Sequence, residues 1–189
     1  MQITGKINNI EVEGEVTSKK ATLNQDKITK LQWMLTKALY QDPQSATVVE
    51  WTNNAIDSII LSGKNPLENP AIVEITNSYF RVSDKGIGLD KNDFETVCMS
   101  YLSSTKEQDN NQIGCFGLGM KAFLSLNKSA TFICRKSGVE YKFIAYEGSE
   151  FMECDLIYEK PTSEENGVIC EIPLDGWYEY ESFYNKAVS

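Results

Sequence analysis

The spacing of apolar residues changes character along this chain, and that change limits the architecture more than any other feature. Ile28, Leu31, Leu35 and Leu39 recur at helical spacing behind Asp26, a side chain able to cap a helix, which predicts a helix over 27–40. Pro43 breaks it, and a second helix is expected over 45–61, ending at Gly63. From Ala71 the pattern becomes extended: AIVEIT and YFRVSD flank a turn at Asn77 and Ser78. Four more extended runs follow late in the chain: ATFICRK, VEYKFIAY, MECDLIY and GVICEIP. Short helices are expected over 92–99 and 120–126, and residues 10–23 read as one or two strands. Helices therefore concentrate in the first two thirds and strands in the last. That segregation predicts an α+β fold, a mostly antiparallel sheet covered on one face by helices.

A length of 189 residues fits one domain, 1–189, large enough to bury a core without covalent staples. Hydrophobic residues at 41% and charged residues at 24% are ordinary for a soluble globular protein. The net charge of −9 opposes direct binding of DNA or RNA, which calls for a basic surface. The five cysteines, Cys98, Cys115, Cys134, Cys154 and Cys170, form no CxxC pair. An odd, widely spaced set argues against a disulfide framework or a zinc ribbon and suits small core residues in a reducing compartment. The chain has no histidine, which excludes histidine-based triads, most zinc catalysis and a phospho-accepting histidine within it. No stretch reads as a signal peptide or membrane span, so a soluble, cytoplasmic protein is expected.

Three tracts carry polar chemistry. In IGCFGLGMK, residues 113–121, glycines precede a predicted helix, and their free N–H groups could face phosphate oxygens. The tract fails as a GxxxxGK[ST] phosphate loop, since Met120 stands at the lysine position and Ala122 offers no hydroxyl. It also has the wrong glycine order for a dinucleotide fingerprint, and a plain turn with helix-capping glycines reads equally well. In VVEWTNNAIDSII, residues 48–60, Glu50, Asn54 and Asp57 fall at i, i+4 and i+7 and share a helix face. Val49, Ile56, Ile59 and Ile60 are expected to cover much of the opposite side. An amide oxygen there could ligate Mg²⁺ beside a triphosphate while a carboxylate orients or deprotonates water; a merely solvated polar face is the alternative. In RVSDKGIGLD, Asp84 ends a strand ahead of Gly86 and Gly88. Such a carboxylate can accept from an exocyclic amine while the glycines let a flat base approach; an ordinary Asp-Gly turn is again the alternative.

Together and in this order, the tracts resemble the motifs of the GHKL, or Bergerat-fold, ATPases, which include gyrase B subunits, ninety-kilodalton heat-shock chaperones, MutL and histidine-kinase catalytic domains. The E-x-x-x-N-A-x-D-A box resembles EWTNNAIDS from Glu50 to Ser58, and D-x-G-x-G resembles Asp84-Lys-Gly86-Ile-Gly88. The chaperone box G-x-F-G-x-G resembles Gly114-Cys-Phe116-Gly117-Leu118-Gly119. A closer resemblance is to the N-terminal domain of phage rIIA-like proteins, carried by Ser104-Thr105-Lys106, by Gly117-Leu-Gly-Met-Lys121 and by Asn166-Gly167-Val168. It spans about Ala21 to Pro173. Val168 stands where the wider family usually has a threonine that helps hold adenine.

The resemblance implies a Bergerat two-layer sandwich with a mixed, mostly antiparallel sheet, binding ATP with Mg²⁺. It gives adenine reading to Asp84, room for the base to Gly86 and Gly88, the Mg²⁺ ligand to Asn54, the general base or water-orienting role to Glu50, and support of the adenine end to Asp57. Gly114, Gly117 and Gly119, with Phe116 and Leu118 between them, would present backbone N–H groups to phosphates. Residues 100–113, with Thr105 and Lys106, would form the ATP lid, and residues 1–26 an N-terminal strand segment. Lys121 either pairs with phosphate or snorkels into solvent. The implied activity is slow ATP hydrolysis, with a nucleotide-gated interaction or dimerisation module, engaging a host protein without useful turnover, as the alternative. A nucleotide-dependent homodimer is plausible for such a family, in the host bacterial cytoplasm if the chain is phage-encoded.

Overall fold

The computed structural model describes residues 6–7, 10–11, 42–96, 119–126, 128–148 and 152–188. The helix expected over 27–40 and the segment 100–113 lie outside them, as do Thr105, Lys106, Gly114, Phe116, Gly117 and Leu118. Two short strands, β1 (Lys6–Ile7) and β2 (Ile10–Glu11), pair antiparallel with each other.

The long helix α1 spans Pro43–Leu61. Asp42 caps it, its carboxylate accepting the Ser45 N–H at 3.1 Å. Pro43 therefore opens this helix as well as barring continuation of anything before it, because the first turn needs no intrahelical N–H. Gly63, at φ +78°, turns the chain away at the other end. The buried stripe is Val48, Trp51, Ala55 and Ile59. That corrects the expected apolar side in part: Ile59 is buried as expected, but Val49 and Ile60 are 53% and 52% exposed. The true stripe follows the i, i+3, i+7, i+11 line through Trp51, the largest side chain on the helix.

The sheet contains β3 (Ile72–Ile75), β4 (Tyr79–Ser83), β5 (Ala130–Lys136), β6 (Val139–Glu147), β7 (Met152–Pro161) and β8 (Gly167–Pro173) in the order β3-β4-β8-β5-β6-β7. Every pairing among them is antiparallel. Alternation decides the faces. Phe80, Val82, Phe132, Cys134, Cys170 and Ile172 point into the core, while Arg81 and Glu171 pair on the opposite face with Nε 2.8 Å from the carboxylate. Helix α1 covers the inner face, and Trp51 stacks on Phe80 at 5.9 Å and meets Phe132 edge-on at 5.8 Å.

Three smaller elements complete the layer. A single turn, α2 (Lys91–Phe94), is held by a reciprocal Asp90–Asp93 capping box and stacks Phe94 on Phe143. Residues expected as a helix over 120–126 form a 3-10 helix, Gly119–Leu126, packed on α1. A further helix, α3 (Trp177–Ala187), was not expected, because its aromatic-rich sequence WYEYESFYNKA carries strand-favouring residues. It is fixed by Phe183, buried and stacked on Phe80 at 4.9 Å, and by Lys186 binding the Asp42 carboxylate. Cys134, Cys154 and Cys170 are free thiols, and burial raises Cys154 to about 11, which keeps it unreactive at neutral pH.

Candidate functional site

The insertion of β8, the last strand, between β4 and β5 assembles one end of the site. Ser83 at the end of β4 registers with Ile169, and Arg135 at the end of β5 registers with Gly167. The loop leaving β4 therefore runs across the start of β8 and the end of β5. The Asp84 N–H donates to the Val168 carbonyl at 3.0 Å. Gly88 has φ +68°, and a Cβ on it would lie 1.8 Å from the Arg135 carbonyl oxygen. Both the backbone conformation and the space demand glycine there. A Cβ on Gly167 would likewise lie 2.1 Å from the Asp84 carbonyl oxygen.

Helix α1 closes this loop from the other side. The Ser58 hydroxyl donates to Asp84 Oδ1 at 3.0 Å, and the Gly86 N–H donates to the same oxygen at 2.7 Å. The Ile87 N–H donates to the Ser58 carbonyl at 3.2 Å. Gly86 lies so close that a Cβ would fall 2.1 Å from Ser58 Oγ. Lys64, just beyond α1, donates to the Lys85 carbonyl at 2.7 Å and approaches Glu165 at 3.6 Å. Burial pushes the Asp84 carboxyl above the usual carboxylate range, against the opposing pull of these hydrogen bonds. Of the two Asp84 carboxylate oxygens, Oδ1 accepts both of these hydrogen bonds, and among the described residues none is directed at Oδ2.

Two turns of α1 away, the glycine tract meets the same helix. A Cβ on Gly119 would lie 2.1 Å from Glu50 Oε2 and 2.8 Å from its carboxyl carbon. Trp51 fixes this contact, its Nε1–H donating to the Met120 carbonyl at 3.2 Å. Eight residues of helix, about 12 Å, separate Glu50 from Ser58, with Asn54 half-buried and Asp57 buried between them. One helix thus presents a carboxylate at the glycine tract, an amide midway and a hydroxyl at the Asp84 loop.

Lys121 is fully buried in the 3-10 helix, 0% exposed, so its amine does not snorkel into solvent. The residues that spacing alone brought forward, Glu50, Asn54, Asp57, Asp84, Gly86, Gly88, Gly119 and Lys121, all lie on α1, the β4 loop or the 3-10 helix. Sequence reasoning gave no role to Ser58 beyond its place in the box. The available signal was a hydroxyl eight positions past Glu50, on the helix edge that borders Trp51.

A two-layer α+β sandwich whose long helix joins a glycine tract to a half-buried aspartate has the form of a nucleotide-binding domain. Residues 44–166, well over half of the chain, match the family described as Histidine kinase-, DNA gyrase B-, and HSP90-like ATPase, and the chain belongs to that GHKL family of ATP-binding domains. No curated protein matches it significantly. No helix among the described residues is long and apolar enough to cross a membrane.

Proposed function

We propose that this protein is a Mg²⁺-dependent ATPase of slow turnover, of the phage rIIA-like type, acting in the cytoplasm. The observation that carries this reading is that α1 holds Glu50 against Gly119 at one end and Ser58 against Asp84 at the other. In this reading, the exocyclic amine of adenine donates to Asp84 Oδ2 while Gly86 and Gly88 leave room for the ring. Asp57 supports the adenine end from within the helix. Gly114, Gly117 and Gly119 offer N–H groups to the phosphates, Thr105 and Lys106 belong to a lid over them, and Lys121 supports the phosphate side from the core.

The residues suit a divalent cation only in company with the nucleotide. Among the described residues no group of three His, Cys, Asp or Glu side chains could hold a metal ion, whereas the Asn54 amide oxygen is a hard ligand of the kind Mg²⁺ takes beside phosphates. Bound there, the ion would neutralise phosphate charge. Glu50, one turn from Asn54, accepts a proton from water as the water oxygen bonds to the γ-phosphorus. The bond from that phosphorus to the β,γ-bridging oxygen breaks, leaving ADP and phosphate. ATP hydrolysis measured with Mg²⁺ for the wild type and Glu50→Ala tests the reading. A rate at least a hundredfold lower in the variant is expected for loss of a general base; equal rates would remove the ATPase claim.

A further inference from the structure

Asp84 presents two oxygens of unequal standing. Oδ1 accepts both the Ser58 hydroxyl and the Gly86 N–H, whereas no hydrogen bond reaches Oδ2 among the described residues. A serine hydroxyl has one proton, and beside a carboxylate, which can only accept, that proton goes to Oδ1. The Ser58 side chain therefore cannot donate to a base while it holds Asp84. Its effect is to fix the plane of the carboxyl group and to leave Oδ2 as the acceptor. The backbone tightens the arrangement, since the Ile87 N–H binds the Ser58 carbonyl and the Asp84 N–H binds Val168. In the box pattern quoted above, alanine stands where this chain has Ser58.

We propose that Ser58 is a positioning residue that sets the base preference of the site. Holding Asp84 Oδ1, it aims Oδ2 at a donor on the six-position of a purine, so that a 6-amino group is favoured over hydrogen or a carbonyl oxygen. The proposal rests on the adenine-binding role given to Asp84. Without the hydroxyl, the carboxylate keeps only backbone donors, the Gly86 N–H and the neighbouring Val168 N–H, and its plane is held less firmly, so the hydrogen bond to a 6-amino group weakens. Contacts to the rest of the purine and to the phosphates stay as they were.

The test is calorimetric binding, with Mg²⁺, of a non-hydrolysable ATP analogue and of the same analogue carrying purine, which lacks the 6-amino group. Wild type is expected to bind the adenine form roughly tenfold or more tightly than the purine form, the range for a hydrogen bond to a charged group. In Ser58→Ala this ratio should fall by about threefold to tenfold, with purine affinity unchanged. Ser58→Thr keeps the hydroxyl and should keep the wild-type ratio. An undiminished ratio in Ser58→Ala, equal weakening of both ligands, or a Ser58→Thr ratio as low as that of Ser58→Ala overturns the proposal. Failure of wild type to bind the adenine analogue would instead remove the ATP-binding reading, and this proposal with it.

Discussion

Replacing Asp84 by asparagine separates binding from stability. Asparagine keeps the shape of the side chain. Its amide oxygen can still accept from Ser58 and Gly86, now at 3.0 Å and 2.7 Å from Oδ1. The NH₂ group then occupies the position of Oδ2 and turns an acceptor into a donor, opposed to the donor of an adenine amine. Loss of a hydrogen bond to a charged group costs about 1.5–3 kcal/mol, and the opposed donors add to it, so ATP affinity should fall roughly 30-fold to 1000-fold. Stability of the ligand-free protein should move the other way or not at all. Burial raises the Asp84 pKa, so the folded chain holds that proton more tightly than the unfolded chain does. Wild type consequently carries a cost above the raised pKa and loses that cost as pH falls through it; Asp84→Asn carries none. Calorimetric titration with a non-hydrolysable ATP analogue measures the first effect, and thermal melts at neutral and mildly acid pH measure the second. Tight binding by the variant, or a melting temperature well below wild type at neutral pH, would refute the reasoning.

Other perturbations probe different parts of the frame. Gly88→Ala places a Cβ 1.8 Å from a backbone oxygen at a positive φ, and since backbone cannot swing aside, a loss of about 2–4 kcal/mol should appear in denaturant unfolding. Gly119→Ala meets instead the movable end of Glu50, with Oε2 at 2.1 Å; stability should change by no more than about 1 kcal/mol while ATP turnover falls at least tenfold as the carboxylate is displaced. Trp51→Ala removes the side chain that stacks on Phe80 and binds the Met120 carbonyl, and should cost about 3–5 kcal/mol by the same unfolding measurement. Glu140 is buried on the outer face of the sheet, which by itself would raise its pKa, but hydrogen bonds from Arg135, Lys160 and Tyr158 hold it at about 2. A depressed carboxylate stabilises the fold above its unfolded pKa and loses that effect as pH falls toward the folded value. Wild type should therefore melt above Glu140→Gln at neutral pH, and the gap should close as pH drops from about 4.5 to about 2.

What the sequence determined was local. Helical spacing marked α1 to within two residues at its start, and alternating runs marked all four late strands, because a period of 3.6 or 2 is written into neighbouring positions. The boxes were legible for the same reason: Glu50, Asn54 and Asp57 share a helix face whatever surrounds it. Sequence could not say that α3 is a helix, since its aromatic side chains suit either state and packing of Phe183 on Phe80 decides between them. It could not say that Lys121 is buried, because a lysine on a short helix shows its surroundings only once α1 lies against it. Nor could it pair Ser58 with Asp84. That contact depends on β8 entering between β4 and β5 and on Trp51 seating α1 across the sheet, two long-range events with no periodic signature. Spacing along the chain supplied the chemical groups; only the order of the strands brought the hydroxyl to the carboxylate and left one oxygen to accept.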